Sequence, residues 1–370
     1  MCTLLGFDMA WSGLRPCSAM QPKENEMPTE TLKKSKDLSL LETERAIAFV
    51  KKVFQSKMES YLNLIPISAP LFTSADSGVQ DNLNGIENAV NFKIKTNGDT
   101  NYEIVHSLAK WKRSALKRYN AEPGQGIITN MIALRPDEPD LNSRIHSVYV
   151  DQWDWEKVIE PEDRNLDFLK STVRMIFQSI KGTAERVNDE FGIPGILPEE
   201  ISFVHTEDLV NKWPDKTPRE REDLITRSLG AVFIIGIGGE LPDGSIHDGR
   251  APDYDDWTTE TTEGKHGLNG DIMVWNPILG RAFELSSMGI RVDGDTMLKQ
   301  LEIRGEKNRT NLNWHKELLN GNLPQTIGGG IGQSRLAMFI LHKKHIGEVH
   351  VSEWPEDVID SCKNMGVKLL

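Results

Sequence analysis

The segment Thr326-Ile327-Gly328-Gly329-Gly330-Ile331-Gly332-Gln333-Ser334-Arg335 constrains this chain most, because it suits a nucleotide yet fits neither familiar nucleotide-binding loop. Glycines let a backbone lie flat against a nucleotide, and a helix N-terminus that follows them favours anions. The apolar run Leu336-Ala337-Met338-Phe339-Ile340-Leu341 supplies that helix, with Arg335 in its first turn. A dinucleotide-binding reading fails. Arg335 stands where the third glycine of Gly-x-Gly-x-x-Gly belongs, and no strand–helix–strand pattern surrounds it. A phosphate loop fails too, since no Gly-Lys-Ser/Thr ends the run. The plain alternative is a glycine-rich strand-to-helix turn with no ligand.

The rest of the chain argues for α+β. Ser39-Leu40-Leu41-Glu42 has capping-box form, and Ile47, Val50, Phe54, Met58 and Leu62 follow at helical spacing, which predicts a helix over 40–63. Further helices are expected from Ser107 to Tyr119, over 163–190 and directly after the glycines, the last sound one. Strand-like runs lie at 92–96, 102–105, 127–134, 146–155, 201–205, 230–238, 271–275 and 281–287. Strands joined by hairpin-like loops, with helices grouped at the start and middle, favour α+β over alternating α/β. Residues 1–38 read as a disordered extension, because Gln21 to Lys36 is polar and charged and holds Pro22 and Pro28. Residues 39–370 then form a single catalytic domain.

A formal net charge of -12 argues against a general nucleic-acid or anionic-membrane binder. Cys2, Cys17 and Cys362 have neither disulfide-framework nor zinc spacing, so a reducing compartment is the default. No apolar run reaches the roughly 18 residues of a membrane span. Arg15 follows the first apolar stretch instead of preceding it as a secretory signal requires. The expected location is cytoplasmic.

Three polar groups carry chemistry. If 146–155 is a strand, His146, Val148, Val150, Gln152 and Asp154 share one face, with Gln152 and Asp154 at its far end. Arg135, opening the preceding loop, suits a phosphate or carboxylate. Asp271 and Glu284 fall on neighbouring strand-like runs, as natural Mg²⁺ ligands do. Asp253-Tyr254-Asp255-Asp256-Trp257 taken alone reads as a solvated cluster. Lys110, Lys112, Arg113 and Lys117 can likewise be one solvated helix face. His342 and His345 have metal-ligand spacing but no third ligand nearby, and read as a cationic helix end.

In this order the segments resemble the signatures of class II aminoacyl-tRNA synthetases. The helix ending at Ala69-Pro70 looks like their dimer-forming first motif. Arg135 through Tyr149 looks like the second, and Gly328 to Arg335 like the third. The match narrows with Gln80 to Leu83, His106 to Arg113, Ala133 to Glu138, His146 to Trp155, Ala251 to Trp257 and Phe283 to Arg291. Together these resemble ammonia-dependent aspartate–ammonia ligase (asparagine synthetase A) over residues 41–370. The loop Ser74-Ala75-Asp76-Ser77-Gly78-Val79 departs from the pattern in being more polar.

The resemblance implies a largely antiparallel sheet of about seven or eight strands flanked by helices, and a homodimer joined through helix 40–63 and the strand through Pro70. It implies substrates L-aspartate, ATP and ammonia, Mg²⁺ as cofactor, and a β-aspartyl-AMP intermediate on the way to asparagine, AMP and diphosphate. Arg135 would hold the α-phosphate, and Arg335 the distal phosphates or the adenine. Asp271 and Glu284 would carry Mg²⁺ or the sugar, with Ser147, Ser286, Gly330 and Gly332 completing the ATP site. Lys112 would meet the α-carboxylate, with Ser107 and Asp154 near the α-amino group. Asp81 and Gln152 would serve the side-chain end, where ammonia enters, and Asp255, Ser287 and Arg291 would complete the aspartate site. Three rivals are weighed. A tRNA synthetase would be expected to carry an anticodon module, and only about 40 residues precede the core, half a small domain. A glutamine amidotransferase acting through Cys2 needs a hydrolase domain around the cysteine. A non-catalytic copy would lose Arg135, Arg335, Asp271 and Glu284, all of which are present.

Overall fold

The computed structural model describes residues 38–370 apart from 82, 84–86, 138–142 and 263. Of the extension, residues 1–37, with Cys2 and Cys17, lie outside the described residues, whereas Leu38 is buried in the main core and belongs to the domain. Helix α1 (Leu40–Leu62) starts where Ser39 and Glu42 exchange hydrogen bonds as a capping box, and stops at Asn63, which takes a left-handed conformation. Its apolar stripe Ala46, Ile47, Val50, Phe54, Met58 and Leu62 is buried against the long helix Leu166–Phe191 and the sheet. The Phe54 and Trp153 ring centroids lie 4.7 Å apart. Each such large apolar side chain contributes about 1.5–3 kcal/mol by leaving water.

In chain order the strands are β1 (Leu64–Pro66), β2 (Phe72–Ser74), β3 (Asn91–Lys93), β4 (Asn101–Ile104), β5 (Gly126–Leu134), β6 (Tyr149–Val158), β7 (Ser202–His205), β8 (Ala231–Ile235), β9 (Glu260–Thr262), β10 (Lys265–His266), β11 (Asn269–Asn276), β12 (Arg281–Ile290) and β13 (Thr326–Gly332). Eight form one sheet in the order β1-β5-β6-β13-β12-β11-β8-β7. The edge pairs β1–β5 and β7–β8 are parallel, and the other pairs of this sheet are antiparallel. The expected α+β architecture is what the chain adopts. A small antiparallel sheet, β2-β4-β3, leads toward Asp81.

The helices after α1 are α2 (Ala109–Arg118), α3 (Leu166–Phe191), α4 (Thr206–Lys212), α5 (Pro218–Leu229), α6 (Gly294–Ile303), α7 (Asn313–Leu319), α8 (Gln333–Ile340) and α9 (Glu356–Asn364). Helices α4 to α7 and α9 were not anticipated, although α5 carries a Thr217–Glu220 capping box and Pro218 in its first turn. The helix after the glycines is therefore not the last. Among the described residues no helix is long and apolar enough to cross a membrane.

Two local differences position the site. The glycine run is not a turn but the central strand β13, and α8 begins directly after it at Gln333. A Cβ on Gly328 would lie 2.0 Å from Glu156 Oε2, and one on Gly330 2.7 Å from Gln152 Oε1. The glycines leave room for polar side chains of the neighbouring β6. The second difference is that β6 runs over Tyr149–Val158, so His146 and Val148 precede the strand. Gln152 and Asp154 stand in its middle instead of at its end, and Glu156 continues their face.

Candidate active site

One cleft, about 1110 Å³ with its open mouth included, lies over β6, β13 and β12. Asp81, Ser107, Lys112, Arg135, Ser147, Gln152, Asp154, Asp255, Glu284, Ser287, Arg291, Gly330, Gly332 and Arg335 line it. Of the residues singled out in the sequence, Asp271 and Ser286 do not border the open space.

One end is built from α2, β6 and the Asp81 turn. Ser107 Oγ donates to Asp81 Oδ2 at 2.6 Å, and the Leu83 amide donates to Asp81 Oδ1 at 2.9 Å. The Leu108 amide, at the start of α2, donates to Asp154 Oδ2 at 3.0 Å, which suits a carboxylate at a helix N-terminus. Lys112 is buried; its Nζ donates to the Gly329 carbonyl at 3.0 Å and stands 3.4 Å from Asp154 Oδ2. Burial lowers its pKa, and Asp154 and Glu156 oppose that shift. The Gln152 side-chain amide has no hydrogen-bond partner among the described residues.

The solvated readings of two segments are overturned. Lys110, Lys112 and Arg113 are each 1 % exposed, and of that group only Lys117 reaches solvent. Asp253, Asp255 and Asp256 are all buried. The reason is pairing. Arg291 grips Glu156 with two bonds of 3.0 and 2.9 Å and donates to Asp255 Oδ1 from Nη1. Thr326 Oγ1 adds a bond of 2.7 Å to Glu156. Burial works to raise the Glu156 carboxyl, but Arg291 and Lys112 outweigh it and hold it below its ordinary value.

At the other end, Arg335 in the first turn of α8 donates to Glu284 Oε2 at 3.1 Å. Arg135 Nη2 donates to the His106 carbonyl at 3.0 Å, and Ser147 Oγ to Ser352 Oγ at 2.9 Å. Strand β12 bulges here: Ser286 pairs with Ile272 and Glu284 with Met273, leaving Leu285 extra. The bulge reverses the alternation, so Glu284 and Ser287 both face the cleft and Ser286 faces the core. Asp271, opposite Ser287, receives Arg250 Nη2 at 2.6 Å, while Arg250 Nη1 reaches Ser287 Oγ at 2.6 Å. Burial, with the charge of Glu284 adding to it, raises the Asp271 carboxyl to about 7 against the pull of Arg250.

The sequence reading missed Arg250, Glu156 and a network made of Lys51, Asp151, Ser334 and His350. Arg250 directly precedes the Ala251–Trp257 segment. Glu156 was recoverable, because it continues the two-residue period of Gln152 and Asp154 once β6 is extended. In the network, Lys51 Nζ donates to Asp151 Oδ2 at 2.8 Å, and Ser334 Oγ contacts Asp151 Oδ1 at 2.5 Å and His350 Nδ1 at 2.8 Å. No local pattern announces it.

Among solved structures, an asparaginyl-tRNA synthetase of Entamoeba histolytica in complex with asparaginyl-adenylate matches with a TM-score of 0.59 at 12% identity, over 84% of this chain and 66% of that one. The asparaginyl-tRNA synthetase of Pyrococcus horikoshii complexed with asparaginyl-adenylate gives 0.57 at 15% identity, over 83% and 68%. The aspartyl-tRNA synthetase of Entamoeba histolytica gives 0.55 at 14% identity, over 83% and 57%. At such identities the likeness is one of fold, that of a class II synthetase catalytic domain, and this chain spans about two thirds or less of those synthetases. The family model for aspartate-ammonia ligase matches residues 41–366, which takes in the whole eight-stranded sheet and every residue lining the cleft. The chain belongs to the aspartate-ammonia ligase family, a family of ATP-dependent, amide-forming ligases.

Proposed function

We propose that the cleft converts L-aspartate, ATP and ammonia into L-asparagine, AMP and diphosphate through β-aspartyl-AMP. The observation that carries this reading is Arg135. It lines the cleft, anchored by Nη2 on the His106 carbonyl beside Ser107, while its buried Nε has no hydrogen-bond partner among the described residues. A buried donor left open is costly unless something binds it. An α-phosphate carrying charge from an attacking carboxylate is such a group.

In the first step an oxygen of the aspartate β-carboxylate attacks the α-phosphorus, the bond to the β-phosphate breaks, and diphosphate leaves. Arg135 offsets the growing charge, and preorganised donors of this kind are commonly the largest catalytic contribution. Arg335, tethered by Glu284, meets the distal phosphates. In the second step ammonia attacks the acyl carbon, and AMP leaves with the former carboxylate oxygen. Asp81, oriented by Ser107, holds ammonium and takes its proton as nitrogen attacks. Gln152 presents its open amide to the same end. Lys112 receives the α-carboxylate, and Ser107, Asp154 and Asp255 surround the α-amino group. Arg291, engaged on both sides by Glu156 and Asp255, fixes that arrangement, and Ser287, held by Arg250 Nη1, completes the lining.

Glu284 faces the cleft and fits a divalent cation, while Asp271 on the neighbouring strand is set back from the open space and held by Arg250 at 2.6 Å, so it would join the ion only where that pair opens. Two carboxylates plus substrate phosphates are a usual Mg²⁺ set. Bound there, Mg²⁺ would offset phosphate charge.

We further propose a homodimer, with the exposed apolar residues Leu40, Leu41 and Ile65 of α1 and β1 in the contact, and a cytoplasmic location. Sedimentation should give a dimer; a stable, active monomer would contradict it. The activity is tested with aspartate, Mg-ATP and either ammonium, glutamine or neither. AMP and asparagine should rise together with ammonium. ADP in place of AMP excludes adenylation, and AMP without asparagine points to another acceptor, with tRNA the next to add.

A further inference from the structure

Behind the aspartate end of the cleft lies a second charged centre that the chemistry above does not use. Asp253 is completely buried, and a single oxygen, Oδ2, hydrogen-bonds to Lys110 and His315 with the Arg309 guanidinium beside it. Lys110 Nζ lies 2.8 Å away, His315 Nε2 2.8 Å and Arg309 Nη2 3.3 Å. Lys110 and His315 have no exposed side-chain surface. Burying such a cluster is expensive, and removing one partner leaves an uncompensated charge. Stability alone is a weak reason for it to exist.

What the centre joins is specific. Lys110 and Lys112 stand two residues apart on α2, and so on nearly opposite faces of that helix. Lys112 reaches across to the Gly329 carbonyl, and Lys110 reaches back to Asp253. The helix is clamped from both sides by buried ammonium groups. Asp253 itself lies two residues before Asp255. His315 sits on α7, and α7 seats the turn that carries Asp81. Gly78, at φ 77°, packs so closely that a Cβ there would lie 2.8 Å from Leu312 Cβ and 3.2 Å from His315 Nδ1. Val79 packs into the cluster around Trp314 and Leu318. Gln80 then fixes the next step, accepting from the Asp81 and His106 amides at 3.1 and 3.0 Å. Of the residues given to ATP, Arg135 alone touches this relay, through the His106 carbonyl at 3.0 Å, while Arg335, Glu284 and Ser147, which hold the rest of the nucleotide, lie on no element that contributes to the centre.

We propose that Asp253, with Lys110 and His315, is a positioning centre that sets the depth of Lys112 and the seat of Asp81, and so tunes the aspartate end of the cleft independently of the nucleotide end. This rests on the assignment of that end to aspartate. None of the three touches substrate. They act through α2 and the Gly78–Asp81 turn, where a shift of about 1 Å is enough to cost a hundredfold.

The test is equilibrium binding of aspartate and of ATP, each measured separately, alongside KM values in the complete reaction. Asp253→Asn and His315→Leu should weaken aspartate binding about tenfold or more and leave ATP binding within about twofold. His315→Gln, which keeps a donor near Nε2, should stay close to the parent. The double variant Lys110→Met with Asp253→Asn removes the Lys110–Asp253 pair and leaves Arg309 its bond to Glu306, so its thermal midpoint should recover above that of Asp253→Asn while aspartate binding stays weak. Parallel losses for both ligands, unchanged aspartate binding in folded variants, or binding that returns with stability would each overturn the proposal. If the parent binds aspartate but forms no asparagine, the proposed reaction fails while the positioning result stands. If the parent reacts and the variants show no split, the positioning role fails alone.

Discussion

Arg291 and Glu156 face each other across the strands beneath the cleft, both buried, with bonds of 3.0 and 2.9 Å between guanidinium and carboxylate. Removing the Glu156 charge leaves the buried Arg291 with Asp255 as its one remaining ion-pair partner among the described residues and takes a carboxylate from beside Lys112. Glu156→Gln should therefore destabilise the fold by about 3–5 kcal/mol, read as a lower denaturant midpoint. A change below about 1 kcal/mol would mean the pair is solvated in solution.

The same pairing sets an acid limit. Burial raises Glu156 and Asp253, but their cationic partners outweigh it, so both fold with pKa values below the ordinary carboxylate range. A depressed carboxylate contributes stability that is present above its unfolded value, about 4, and is lost as pH falls through the folded value. The thermal midpoint should drop steeply below about pH 4, and less steeply in Glu156→Gln. A flat acid limb in the parent would contradict the pairing.

Arg135→Ala should lower the rate of AMP formation about 10²- to 10³-fold. Thermal stability should change little, because the side chain spends only one bond on the protein. Rapid-quench measurement of AMP checks this, and a loss confined to the KM for ATP would reassign the residue to ground-state binding.

Asp81→Asn separates the two steps. Aspartate-dependent exchange of diphosphate into ATP should persist, while asparagine formation falls by about 10²- to 10⁴-fold. Equal loss of both would place Asp81 in aspartate binding and leave the ammonia step without its base.

Gly328→Ala and Gly330→Ala should differ in kind. At Gly328 an added methyl meets the Glu156 carboxylate at 2.0 Å, and overpacking of that sort costs about 1–3 kcal/mol. At Gly330 it meets Gln152 Oε1 at 2.7 Å and Asp154 Oδ1 at 3.0 Å, inside the cleft. The first variant should lose stability and the second chiefly substrate binding, as thermal melts and KM values will tell.

Helix α1 is legible in the sequence because its cap and its apolar stripe are both local signals. Strand β6 is legible as a strand but not in its bounds, since Trp153 and Trp155 tell of an apolar core face and not of where pairing ends. The burial of Lys110 and Lys112 is not legible. Their partners Asp253 and Gly329 lie 143 and 217 positions away, and a polar helix face looks solvated until the fold supplies those partners. The bulge at Leu285 escapes for a related reason: a strict two-residue period puts Glu284 and Ser286 together, and only the register with β11 shows that Glu284 and Ser287 share a face. Arg135 and Arg335 are found because motif order, not local propensity, marks them.

The most direct measurement uses aspartate carrying heavy oxygen in its β-carboxylate, with unlabelled ATP and ammonium, followed by mass analysis of the nucleotide product. If the β-carboxylate attacks the α-phosphorus and AMP leaves from the acyl carbon, AMP should carry one heavy oxygen atom and diphosphate none. Label in inorganic phosphate beside unlabelled ADP, or unlabelled AMP, would contradict the adenylate route and the place given to Arg135.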